Sequence, residues 1–209
     1  FAGFIAKKMG LSIDRLVVAT NQNDILHRCL TSGVYKTDKV LPSISPSMDI
    51  QVSSNFERLL FELLDRDGRV TAHVMKQFAE TGQFHVDEFV LARAKALFSA
   101  YRLDDEGTIA EIAITAKQNN MTIDPHSAVG VYAARQAHAD GTVSNDVPIV
   151  ALACAHPAKF DSAVTKATGI TPKLPPHLAD LMKRPERQRH VAATLDAVKS
   201  LVLDMKRGA

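Results

Sequence analysis

Residues 45–58 read SPSMDIQVSSNFER. Two Pro-separated serines, an acid, further polar residues and an arginine stand directly before an apolar run, Phe56, Leu59, Leu60, Leu63 and Leu64, at helical spacing. The stretch therefore reads as a polar start to an amphipathic helix. Unpaired N–H groups and the helix dipole at Ser53, Ser54 and Asn55 favour a phosphate or carboxylate. Arg58, one turn inside, can add a bidentate contact. A plain capping box, Ser54-x-x-Glu57, with Arg58 paired to Asp49 or Glu62, accounts for the same residues equally well.

The surroundings of this stretch set the fold class. Upstream, Phe1, Ile5 and Met9 share a helical face, Lys7 and Lys8 occupy its last turn, and Gly10 stops it. No initiator Met and no capping residue precede Phe1, so the chain is expected to begin within a helix, as a fragment would. Arg15–Thr20 (RLVVAT) predicts a short buried strand, Asn21–Asp24 a turn, and Asp24 to about Leu30 a helix closed by Gly33. Lys39–Ile44 predicts another extended piece. Helix, strand, turn and helix in this rhythm indicate an α/β domain.

Residues 66–120 differ. Thr71–Thr81, Val86–Phe98 and Asp105–Asn119 read as amphipathic helices without strand alternation, the last with Ile109, Ile112, Ala113 and Ala116 as its stripe. The α/β rhythm then returns. Met121–Ile123 predicts a short strand, and Asp124-Pro125 caps a helix running to about Ala139. Pro148–Ala155 (PIVALACA) is a continuous apolar run expected to form a parallel strand covered on both faces. A helix from His156 to about Gly169 follows. Pro172, Pro175 and Pro176 mark a linker before two helices near 177–184 and 186–206. The expected organisation is the first part of an α/β domain over 1–65, a helical insertion over 66–120, the rest of the α/β domain over 121–170, and a linker with C-terminal helices over 171–209.

Composition narrows the function classes. With 25 basic and 23 acidic residues, net +2, the chain is too balanced to argue for nucleic acid or an anionic membrane as partner. The basic residues of the last third are spaced as a solvated helical face. No apolar run reaches the roughly 18 residues of a membrane span, and the N-terminus has the reverse order of a secretory signal. Cys29 and Cys154 stand far apart without metal-type spacing, which fits a reducing cytoplasm. The eight histidines show no metal pattern. A nucleophile elbow, a Walker loop and a dinucleotide fingerprint are all missing from the sequence.

Chemistry therefore concentrates at strand-to-helix junctions, where α/β sheets keep their ligands. Three junctions qualify: Thr20–Asp24, Asp124–Ser127 and Cys154–Lys159. Each alone is explained by turn and cap formation; the three together favour a shared cleft.

Four motifs in order, VATNQNDIL, SPSMDIQVSSNFERLLFELL, DPHSAVG and AHPAKF, closely resemble threonine synthase, a pyridoxal-phosphate enzyme of fold type II. With matching segments they cover most of the chain. The resemblance implies the large α/β domain of that fold, with parallel strands flanked by helices. It implies a lyase of threonine biosynthesis acting on O-phosphohomoserine and water and releasing phosphate, with pyridoxal phosphate as electron sink. The family's glycine-rich phosphate loop and its Schiff-base lysine are expected upstream of Phe1, so this chain looks like the C-terminal portion of a longer enzyme, inactive alone and partnered by that upstream portion. No catalytic residue is assigned here. The strand end before AHPAKF usually carries a Thr that meets the pyridine nitrogen; here the position is Cys154, a weaker hydrogen-bonding group. The resemblance implies Asn21, Asn23 and Asp24 along the cleft, Ser53, Ser54, Asn55 and Arg58 holding the substrate phosphate or shaping its pocket, and Asp124 and His126 in the cleft wall. A non-catalytic threonine-synthase-like interaction module, or another fold type II lyase, are the alternatives.

Overall fold

Strand β1 spans Leu16–Thr20 and pairs in parallel with β4, Phe98–Arg102, in the register Leu16 with Phe98 through Thr20 with Arg102. Parallel strands need a long crossover, and the chain between them supplies one in a computed structural model that describes residues 1–207. After β1 come α2 (Ile25–Ser32), β2 (Val34–Lys36), α3 (Ser54–Leu63), α4 (Gly68–Thr81), β3 (Gln83–His85) and α5 (Glu88–Leu97). Helix α1 (Ala2–Lys8) precedes β1; α6 (Asp105–Asn119), α7 (Pro125–Ala139) and α8 (Asp161–Thr168) follow β4. The chain falls into two compact units, Phe1–Pro172 and Lys173–Ala209. Within the second, two 3-10 turns, Pro176–Leu178 and Leu181–Lys183, precede α9 (Leu195–Arg207).

Several expectations are corrected. The 66–120 region is not purely helical: β3 pairs antiparallel with β2, and β4 is the parallel neighbour of β1. The expected helix Val86–Phe98 loses its last residue to β4, because Phe98 opens a strand buried beside β1. Met121–Ile123 forms no strand, and neither does Lys39–Ile44. Of the two expected C-terminal helices, the first is only the pair of 3-10 turns and the second begins at Leu195. On α1 the core-facing residue is Phe4, which stacks on Phe98 at 6.3 Å, while Met9 is 82% exposed. The larger correction is Pro148–Ala155. It is not a strand, and Val150 and Leu152 are 82% and 71% exposed. An apolar run specifies no ladder by itself; a strand needs a neighbour's N–H and C=O groups, and none of the described strands lies beside this one.

The core joins the crossover to the sheet. Tyr35 of β2 stacks against Phe56 of α3 at 4.9 Å and Phe84 of β3 at 4.9 Å, with Phe78 of α4 edge-on at 5.1 Å. Each such buried ring contributes about 1.5–3 kcal/mol of burial. Phe56, Leu59, Leu60 and Leu63 are the buried stripe of α3, as its spacing predicts. Tyr35 is also a positioning device, because its hydroxyl oxygen accepts the Ser53 N–H at 2.8 Å. Burial raises the Tyr35 phenol above its ordinary range, so it stays protonated. The aromatic cluster thus sets where α3 begins.

Candidate functional site

The first junction is built by two buried asparagines. Asn21 Oδ1 accepts the Asn23 N–H at 2.8 Å, an Asx-turn that bends the chain out of β1. The Asn21 amide then reaches Ser43 Oγ, Ser45 Oγ and Asp49 Oδ1 at 2.9, 3.0 and 2.8 Å. The Asn23 amide donates to Leu41 O and Asp49 Oδ1, and its carbonyl accepts the Leu41 N–H. Asp49 closes the loop by accepting from Ser43 through both backbone and hydroxyl. The result is a stapled loop, residues 41–49, with Ser45 fully buried at its centre. Asp24 turns the other way, pairing with Arg28 at 2.8 Å and Arg102 at 3.6 Å.

The second junction is the start of α7. Asp124 is its N-cap, and its Oδ1 accepts both the backbone N–H and Nδ1 of His126 at 3.0 Å. The other ring nitrogen of His126, Nε2, accepts the Ser47 N–H at 3.2 Å. That pair of bonds fixes the neutral tautomer with its proton on Nδ1. The histidine therefore ties α7 to the stapled loop. Ile44 N–H adds a tie from the same loop to Asp105 at the start of α6, 3.2 Å away.

The third junction meets the second through Asp124. Its Oδ2 accepts the Ser127 hydroxyl and the Ala155 N–H, the latter at 3.2 Å, while Ser127 Oγ accepts the Cys154 N–H at 2.9 Å. Burial pushes the Asp124 carboxyl upward, but the bonds from Ser127, His126 and Ala155 outweigh it and hold it below the usual carboxylate range. Cys154 itself is exposed. Partial desolvation, then the Asp124 charge, push its thiol above the ordinary range, so it is neutral near pH 7.

The start of α3 is open by comparison. Ser53 is its N-cap but makes no side-chain capping bond, so the Ser54–Glu57 capping box is not formed. Ser54, Asn55 and Arg58 are exposed. The two acids expected as partners of Arg58 are engaged elsewhere: Glu62 with Lys8 and Arg66, Asp49 with the asparagines. Sequence reasoning singled out neither Asp49 nor Ser127 as a site residue, although these two carry the loop and the Cys154 junction. A polar residue inside a motif gives no sign of which backbone it will hold. Among the described residues, no group of three or more His, Cys, Asp or Glu could hold a metal ion, and no helix is long and apolar enough to cross a membrane.

Residues 127–202 match the family described as threonine synthase, C-terminal. Threonine synthase of Pseudomonas aeruginosa is 47% identical over 188 residues, which is 90% of this chain and 39% of that protein. The chain matches the C-terminal portion of the threonine synthase family. The solved structure of pyridoxal-phosphate-bound threonine synthase from Brucella melitensis superposes with a TM-score of 0.88 at 44% identity, covering 97% of this chain and 42% of that one. Threonine synthase from yeast gives 0.87 at 35% identity, covering 100% and 45%. The chain thus spans about two fifths of the length of the threonine synthases it matches, and its architecture is that of fold type II.

Proposed function

We propose that this chain is the part of a pyridoxal-phosphate-dependent threonine synthase that faces the cofactor ring and the substrate phosphate, the whole enzyme converting O-phosphohomoserine and water to L-threonine and phosphate. The observation that carries the reading is the match over nearly the whole chain to a threonine synthase solved with pyridoxal phosphate bound. The residues present fit the group. Cys154, at the position where the family places its ring contact, is exposed on one side and neutral, because desolvation and the Asp124 carboxylate both oppose the thiolate. A neutral S–H beside the pyridine nitrogen leaves that nitrogen unprotonated, the same electrostatic condition that a hydroxyl provides. When bound, the cofactor supplies an electron sink.

This chain's own residues do the binding and holding. The uncapped N–H groups of Ser54 and Asn55 at the start of α3, with the Ser53 side chain, attract the substrate phosphate, and Arg58 adds a charge that forms no ion pair among the described residues, Glu62 being held by Lys8 and Arg66. Asn21 and Asn23 fix the cleft floor through the stapled loop, Asp24 borders it through its pairs with Arg28 and Arg102, and Asp124 with His126 forms the wall. None of these side chains is asked to move a proton. No lysine here lies in the family's cofactor-lysine motif, so this chain alone yields no threonine. Two free cysteines, one exposed, favour the cytoplasm as its compartment.

Steady-state kinetics of the intact enzyme test the phosphate assignment. Arg58→Ala is expected to raise KM for O-phosphohomoserine about 10-fold, the loss of one charge-assisted contact. An unchanged KM and turnover would remove Arg58 from the site.

A further inference from the structure

Pro148–Ala155 is held only at its end. Val150 and Leu152 face solvent, yet the N–H groups of Cys154 and Ala155 both reach buried side chains on another element, the first turn of α7. Those N–H groups would otherwise belong to a strand ladder. Here Ser127 Oγ takes the first and Asp124 Oδ2 the second, and Ser127 donates its own proton to the same Oδ2. The Asp124 side chain is 0% exposed and both of its oxygens are occupied. The Cys154 thiol makes a long contact, 3.5 Å to Leu152 O, and a weak interaction with the Ser127 side chain, so its direction comes from the backbone beneath it and from Ser127.

We infer that Asp124 and Ser127 are positioning residues, a two-residue clamp on the Cys154–Ala155 backbone that sets the direction of the Cys154 side chain. The inference deepens the proposed cofactor reading and rests on it for its purpose, though not for its geometry. Asp124 carries a second link, through His126 to Ser47, so the clamp also fixes the distance between the Cys154 end and the stapled loop. Ser127→Ala removes both the acceptor for Cys154 N–H and a donor to Asp124. Ser127→Thr keeps the hydroxyl. Asp124→Asn keeps the shape and removes the charge nearest the thiol.

Labelling of the thiol by iodoacetamide in the cofactor-free intact protein, quantified by mass spectrometry on the Cys154 peptide, reads the clamp without any need for turnover. Cys29, 1% exposed with its thiol pushed up to about 12 by burial, stays unlabelled while the fold is intact and serves as the internal control. Ser127→Ala is expected to change the Cys154 labelling rate about five-fold, the equivalent of one net hydrogen bond, and Ser127→Thr to restore it. Asp124→Asn is expected to move the pH midpoint of labelling downward. Rates and midpoints equal to the parent's in both variants, with Cys29 still protected, would overturn the clamp. In the cofactor-loaded protein, the absorption maximum of Cys154→Ala reports separately on the ring contact. A band that does not move there, with labelling altered as expected, would overturn the cofactor reading and leave the clamp standing.

Discussion

Asn21 donates its side-chain amide to Asp49 Oδ1 at 2.8 Å, joining the end of β1 to the far side of the stapled loop. Asn23 donates to the same oxygen at 3.0 Å, and Ser43 N–H to its neighbour at 2.9 Å. Removing the carboxylate leaves these donors without an acceptor in a site where Asn21 and Asn23 are buried. Asp49→Ala is expected to cost about 2 kcal/mol of unfolding free energy, read from urea denaturation. Asn at this position is expected to fall short of rescue, because its amide nitrogen, set where Oδ2 stands, would face the Ser43 N–H.

A second asymmetry lies between α6 and α7. Glu111, with its side chain 4% exposed, pairs with Arg135 at 2.9 Å and accepts the Thr115 hydroxyl at 3.0 Å. Arg135 is 40% exposed and can be hydrated alone; Glu111 cannot. Arg135→Ala is therefore expected to destabilise by about 3 kcal/mol in the same denaturation measurement, through an uncompensated buried charge. Arg135→Lys is expected to recover only part of this, since an ammonium lacks the guanidinium fork.

Gly33 ends α2 at φ 79°, and a Cβ there would lie 3.2 Å from Leu91 Cδ2 and 3.3 Å from Val86 O. Both the left-handed backbone and the close carbonyl oppose a side chain. Gly33→Ala is expected to lower stability by about 1–2 kcal/mol, visible as a lower urea midpoint with an unchanged slope.

Acid should act on Asp124 in a defined direction. Its folded pKa is depressed, so its contribution is full above the unfolded value, about 4, and is lost as pH falls through the lower folded value. Asp140 and Asp180 are depressed as well and share this window. The urea midpoint of the intact protein is expected to fall on acidification below about pH 4, and to fall less steeply in Asp124→Asn. Equal slopes for parent and variant would show that the carboxylate carries no such stability.

Much of this was legible in the sequence where a local rule operates. The apolar stripe of α3, the Asp124 cap with Pro125 in the first turn, and Gly33 at the end of α2 all emerge as read, because spacing and cap chemistry act within one turn. The resemblance likewise pointed to the threonine synthases. Long-range pairing was not legible. The spacing puts Phe98 at the end of a helix and assigns no element to residues 99–102, because nothing local marks Phe98–Arg102 as the partner of Leu16–Thr20, some eighty residues earlier. On α6, Ile112 is buried as the stripe requires, but Thr108, Glu111 and Thr115 share its face: Thr108 donates to Asp104 O, Thr115 to Glu111, and Glu111 pairs with Arg135 of α7. The same limit applies to Asp49 and Ser127, whose partners lie on other elements.

The bare run Pro148–Ala155 has a consequence for handling. Eight residues carry no charge, three of them are Ile, Val and Leu, and only the leading Pro interrupts extension. Such windows add to one another edge to edge unless charged gatekeepers stand close by. Asp146 on one side and Lys159 on the other are the nearest charges, and neither lies within the run. Preparations of this chain should therefore form concentration-dependent β-rich aggregates, and a single lysine at Val150, on the solvent side and away from the Asp124 clamp, should keep them in solution.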